Sequence, residues 1–403
     1  MGWRDLLGLE PRMQDLAGAL ISTARRHNPA ATWTYDAENA CIRGDSGLVI
    51  NLANMFREYA ASPRSARKSL LQKYASLLEQ HDREIPGLWT LAAKAIYPVV
   101  RSQFDNMVID INARIEKETP RAWVRWPLAG DVHIRLVYDH GSALARVGQE
   151  LLDTWGQTES AVFQQALANL RALAHPQWTS LDEHVYQLRS EVSYEESFLL
   201  LDSGMAKVPL AGTIVLVPSN RGVLLAASGD TEASVLALLD HVHRCHRECP
   251  WPMSTIPLHK VSGVWQPFGL TGLAARRAHT LQQIDLSGVY ADQREALQKL
   301  VGDDTYVAKV DFMSNGDGLE HIESWCVWSE DITSLLPRTD VVIVSRGDTK
   351  DAFIVAWDEL AAIAGRHLKT TVEDPPRFLV DSFPDATEYA QLEKVGRPLR
   401  RNG

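Results

Sequence analysis

Between Leu210 and Ser228 the chain reads LAGTIVLVPSNRGVLLAAS, two apolar runs separated by Pro218-Ser219-Asn220-Arg221-Gly222, with TEASVLALLDHVHRC directly behind. The first run carries too little polarity for one of its faces to lie in water. It is expected to pair with the second as a hairpin, and the sequence behind them steps at the helical period. A strand-turn-strand-helix unit follows. TDVVIVSR, AFIVAW and DELAAIAG repeat that order near the other end of the chain, which leaves open both an internal duplication and independent construction of the same unit.

The rest of the chain alternates in the same mixed way. Met13, Leu16, Ala17, Leu20, Ile21 and Ala24 mark an amphipathic helix, and ATWTYDAENACIRGDSGLVIN reads as short strands joined by polar turns. A helix is expected over Leu88 to Ile96, stopping near Pro98. VHIRLVYD is a strand, SALARVGQELLDTWG and TESAVFQQALANLRALA are helices, and TYVAKVDF and ESWCVWSE are strands around Asn315-Gly316-Asp317-Gly318. The expected class is α+β, with helices and small sheets in two or three packed units, because 403 residues exceed what one core usually fills. We place a helical region with a small sheet at 1–125, an α+β middle domain at 126–269, an α+β module at 270–393 and a basic tail at 394–403.

A formal charge of −10 gives no footprint for a polyanion, so nucleic acid is not an expected partner. The first twenty residues carry Asp5, Glu10 and Asp15 and lack the apolar core of a signal peptide, and no run reaches the roughly 18 apolar residues of a membrane span. A cytoplasmic location is the expectation, with Cys41, Cys245, Cys249 and Cys326 as free thiols.

Several segments in order resemble the YtpQ-like family of bacterial proteins, a domain family of unknown function. They are YDAENACIRGDSGLVINLANMFREY, IYPVVRS, LVYD with WGQTESAVFQQALANL, TIVLVPSNRGVLLAAS and PMSTIPLHKVSGVW, spanning about residues 30–268, and the region from Tyr290 to Phe383 resembles the extra part of longer members. The resemblance implies a related fold and carries over no catalytic or cofactor residue. At the turn Gly222 stands where the family's Pro-Asn-Arg-Asp pattern has an acid. Within WGQTESAVFQQALANL, Gly156 is expected to end one helix, with Trp155 and Leu170 buried.

Thiols and imidazoles are zinc ligands, which singles out His241, Cys245, Cys249 and His259. On a helix, however, His241 and Cys249 lie about 12 Å apart along the axis, too far to share one ion. A helix end with buried thiols and solvated histidines accounts for the same residues. Gly44-Asp45-Ser46-Gly47 spells a serine-protease tetrad but sits among turn residues, and Asp311 to Glu323 resembles a calcium loop with Met313 and Ile322 in ligand positions. No phosphate-cradling glycine loop occurs. No cofactor is expected.

The interaction candidates are the turn residues Ser219, Asn220 and Arg221, taken as exposed, and Trp328, which faces opposite to Trp325 on an alternating strand and qualifies if it points outward. The first functional reading is a non-enzymatic binding or regulatory protein, with an unidentified protein partner and an open oligomeric state. The alternatives are a metal-assisted hydrolase using the His241–His259 region with Glu248 as base, and an immunity or antitoxin partner of a basic toxin.

Overall fold

The two apolar runs pair antiparallel as Ile214–Asn220 and Val223–Ser228, from Ile214 opposite Ser228 to Pro218 opposite Leu224, with an irregularity that brings Asn220 opposite Val223. This hairpin comes from a computed structural model that describes residues 10–399 apart from 28–31, 38–39, 45–48, 81–84, 142–143, 174–175, 191, 193, 203–207, 315, 317 and 348–351. Its strands lie in the middle of a six-stranded sheet, flanked by Leu258–Val261 and Val264–Pro267 on one side and by Val185–Arg189 and Gln177–Ser180 on the other.

Both faces of the hairpin are covered, which is why its sequence does not alternate. Val215, Val217, Leu225 and Ala227 pack with Leu238 and Val242 of the helix Glu232–Glu248. Leu216, Leu224 and Ala226 point the other way, into a core with Val99, Val137, Leu170 and Phe198. Each of the valine, leucine and phenylalanine side chains among them contributes about 1.5–3 kcal/mol by leaving water. The helix starts at Thr231, whose hydroxyl accepts from Ser234 N–H at 3.2 Å, and it ends at Cys249 ahead of Pro250.

A second sheet is built from Ile96–Ser102, Val132–Asp139, Arg125–Ala129 and Leu144–Arg146. The helix expected over Leu88 to Ile96 is therefore shorter than its sequence pattern suggests. Helical turns cover Trp89–Ala92 and Ala93–Ala95, and Ile96 already opens a strand. Pro98 fits there because this strand lies on the sheet edge, where a missing N–H breaks no ladder. Behind the sheet run helices Gln149–Trp155 and Glu159–Leu173, separated by Gly156 in the left-handed conformation (φ 62°), with Trp155 and Leu170 buried as the sequence predicts.

The 30-residue helix Gly272–Val301 has no counterpart in the sequence reading, since its buried positions include Thr280 and Gln293 and interrupt the apolar stripe. Its first half packs Ala274 and Leu281 against Val235 and Leu239, and its second half packs Ala296 and Leu297 against Met107 and Ile111 of helix Met107–Ile115. Two further sheets follow, one of which pairs Val341–Ser345 with Phe353–Ala356 ahead of helix Trp357–Ala364. The strand-turn-strand-helix order thus occurs twice in a mixed α+β fold. Within the stretch read as a basic tail, Val395 closes helix Ala386–Val395 and Arg397–Pro398 pair with Ile354 and Phe353. Among the described residues no helix is long and apolar enough to cross a membrane.

Trp328 does not point outward. Strand Ile322–Ser329 alternates as expected, but Ser324, Cys326 and Trp328 form its inward row and Trp325 the outer one. Trp328 is 1% exposed, with its ring against His367 and Phe383 at 5.9 and 5.7 Å. Trp328→Ala is expected to lower the unfolding free energy by about 3–5 kcal/mol, measured by urea denaturation, and Trp325→Ala by clearly less. Equal losses would contradict this orientation.

Candidate functional site

A period of two assigns the side chains of the second sheet to its faces. Arg101 lies opposite His133, Arg125 opposite Arg135, and Arg146 opposite Val137, so all five basic residues share one face. On the other face Ile96, Trp126, Leu136 and Tyr138 pack against Leu152, Trp155 and Val162. The apolar face anchors the sheet to its helices and leaves the basic face to be satisfied by other means.

Two of the arginines have acidic partners. Arg101 lies 2.5 Å from Oε1 of Glu196, a residue with no exposed surface, and Oε2 of Glu196 accepts the Gly222 N–H at 2.8 Å. Arg135 pairs with Asp105 and donates to Asn106 Oδ1 at 2.7 Å and to His133 Nε2. Burial, and next the Arg135 charge, press His133 down to about 3, so at neutral pH its ring is uncharged and can accept that bond.

Arg125, Arg146 and Arg221 have no carboxylate partner among the described residues. Arg146 lies over the Trp123 ring at 5.7 Å and Arg221 over the Trp251 ring at 4.6 Å. Arg221 is an exposed residue, although protein atoms and the Arg101 charge crowd its guanidinium end. Its guanidinium is brought down to about 9 by burial first and then by Arg101, and burial lowers Arg146 as well. Both remain cations at neutral pH. Arg125 and Arg221 are exposed and Arg146 is half-buried, so like charges are gathered on an open basic face.

The turn that carries Arg221 differs from its expected form. Ser219 and Asn220 are fully buried. Asn220 Nδ2 donates to the carbonyls of Cys245, Cys249 and Pro250 at 3.4, 3.3 and 3.1 Å, and Ser219 Oγ donates to Asn220 Oδ1 at 2.8 Å. His246 completes the joint, donating from Nε2 to the Ser219 and Ser254 carbonyls at 3.0 and 3.2 Å and from Nδ1 to Asp285 at 3.2 Å. Turn and helix end are thus locked together, and of the three turn candidates only Arg221 reaches the basic face. Gly222 has φ +75°, and a Cβ on it would lie 3.6 Å from Glu195 Oε2 while its N–H serves Glu196. An acid here would project beside two carboxylates, which gives a physical reason for the glycine.

The residues proposed for a metal are not brought together. His241 Nε2 bonds Asp182 at 2.6 Å and its Nδ1 faces Arg244 at 2.9 Å, whereas His259 stands off the helix, on the strand Leu258–Val261, beside Gln266 and Phe268. Cys245 and Cys249 adjoin each other alone, and no group of three or more His, Cys, Asp or Glu side chains among the described residues could hold an ion. Asp45, Ser46, Gly47, Asn315 and Asp317 lie outside the described residues.

No family model, no curated protein and no solved structure matches the chain. The arginine face therefore has to be read from its own geometry. One local signal was present in sequence, the His-x-Arg spacing in VHIRLVYD that puts both side chains on one face, but Arg101, Arg125 and Arg146 join it only through strand register.

A separate hollow of about 360 Å³ lies between this sheet and the long helix, lined in part by Gln103, Asp131, Gln282 and Tyr290. Burial pushes the Asp131 carboxyl up to about 7, against the bond it accepts from Ser254 Oγ. Because the folded state holds this proton more tightly than the unfolded chain, stability falls as pH rises from about 4 to about 7. Asp131→Asn is expected to remove about 1.4 kcal/mol per pH unit of that slope, seen by comparing urea denaturation of both proteins at pH 5 and pH 7. Parallel pH profiles would refute this.

Proposed function

We propose that this is a non-enzymatic binding protein whose ligand is a small anion of two or more charges, such as a phosphate-bearing or polycarboxylate molecule. The observation that carries the reading is the set of three guanidiniums, Arg125, Arg146 and Arg221, without an ion-paired carboxylate among the described residues, beside the paired Arg101 and Arg135. An anion settling on this face gains from all of the unpaired charges at once, with solvent screening part of the gain at the exposed Arg125 and Arg221. Arginine also suits this ligand class, because its planar fork matches two oxygens of a carboxylate or phosphate.

The donors sit on paired strands and on a turn clamped at both ends, so little ordering is needed when the ligand arrives. A compact anion is favoured over a nucleic acid, since an extended polyanion would be repelled by the net charge of −10 on the rest of the chain. The proposal places the protein in the cytoplasm, where its thiols would rest reduced.

Isothermal titration with inorganic phosphate, pyrophosphate and citrate tests this directly. One of them is expected to bind saturably, and Arg146→Ala and Arg221→Ala each to weaken it about 10- to 100-fold, the value of one charge-assisted hydrogen bond. No saturable binding by any of the three, or unchanged affinity in both variants, would sink the proposal.

A further inference from the structure

The end of helix Glu232–Glu248 carries two free, half-buried thiols one turn apart, Cys245 and Cys249. Cys249 N–H donates to the Cys245 carbonyl at 2.8 Å, which keeps the α-carbons about 6 Å apart, within the span that a disulfide bridges. Cys249 has already left the helix (φ −97°, ψ 148°), so its side chain is not held to the helical direction. A hydrogen bond between the thiols holds Cys249 below the ordinary thiol value, the direction that favours the nucleophilic thiolate. Cys41 and Cys326 are buried elsewhere, and burial pushes Cys326 up to about 12.

We propose that Cys245 and Cys249 form a reversible thiol–disulfide exchange site, with Cys249 as the attacking thiol, and that its oxidation state sets how firmly Arg221 is held on the anion site. The oxidant is a small-molecule disulfide. The Cys249 thiolate attacks one of its sulfurs, a mixed disulfide forms, and the first small thiolate leaves and takes up a proton. Cys245 then loses its proton to solvent and attacks Cys249 Sγ, expelling the second thiolate. Two protein thiols are oxidised and one external disulfide is reduced.

The coupling to Arg221 is a matter of shared atoms and rests on the anion-binding reading above. Asn220, next to Arg221 in the chain, is clamped by the carbonyls of Cys245, Cys249 and Pro250, and Arg221 N–H donates to the Trp251 carbonyl at 3.0 Å. The Trp251 ring in turn carries the Arg221 guanidinium. Drawing the two sulfurs to about 2.05 Å displaces Cys249 and with it part of that clamp.

The test titrates the folded full-length protein with glutathione disulfide, followed by acid quench and mass measurement. Wild type is expected to lose two hydrogens with the new bond between Cys245 and Cys249, and Cys245→Ser to retain a glutathione adduct on Cys249. Oxidised wild type should bind pyrophosphate about fivefold or more weakly, with recovery on reduction, and Cys245→Ala/Cys249→Ala should not respond. Failure of the native protein to form this disulfide overturns the exchange site. A disulfide that leaves pyrophosphate affinity unchanged overturns the coupling. Absence of pyrophosphate binding in either state overturns the anion reading and the coupling together, while the mass measurement still decides the exchange site.

Discussion

The Glu196 carboxylate has no exposed surface and is held by two contacts, the Arg101 guanidinium and the Gly222 N–H. Desolvating such an ion costs several kcal/mol, and the loss is offset only while both partners keep their geometry. Three segments are thereby fixed to one another: the strand Ile96–Ser102, the short helical turn Glu195–Leu200 and the tip of the central hairpin. Arg221 precedes Gly222, so its place over Trp251 beside the basic sheet face is a consequence of where that carboxylate lies.

The hairpin behind this tip supplies the rigidity. With Val217 and Leu225 packed on a helix and Leu216 and Leu224 in the opposite core, its strands cannot slip by one residue without exchanging the two rows. The helix that covers one face ends at Asn220, whose amide satisfies carbonyls that a helix C-terminus otherwise leaves to solvent. A buried carboxylate on one side and a capped helix end on the other therefore hold a five-residue turn.

How much of this could be read from sequence depends on the range of the interaction. The hairpin, its helix and the Gly156 break were legible because they rest on local periodicity and one backbone conformation. The Trp325 and Trp328 alternation was legible too, but which row faces inward is decided by His367 and Phe383, far along the chain. Ser219, Asn220 and Arg221 read as an exposed polar turn, and the burial of the first two depends on a helix end some 25 residues away. The arginine face lies furthest out of reach. Arg101, Arg125 and Arg135 come together only once three strands have taken their register, and nothing in a single strand announces a partner's charge.

Five neighbouring guanidiniums also tie the proposed anion site to the stability of the fold. With Asp105 and Glu196 as their paired counter-charges and Asp110 nearby, the repulsion left among them opposes folding in the empty protein as far as solvent does not screen it. A bound anion removes part of that repulsion and stabilises only the folded state, by an amount that grows with the logarithm of its concentration above Kd. The unpaired charge that makes the site receptive is thus the same charge that destabilises it when empty. It is tolerated because the cost falls on a sheet whose other face is anchored by Ile96, Leu136, Leu152 and Trp155, an apolar core that asks nothing of the ligand.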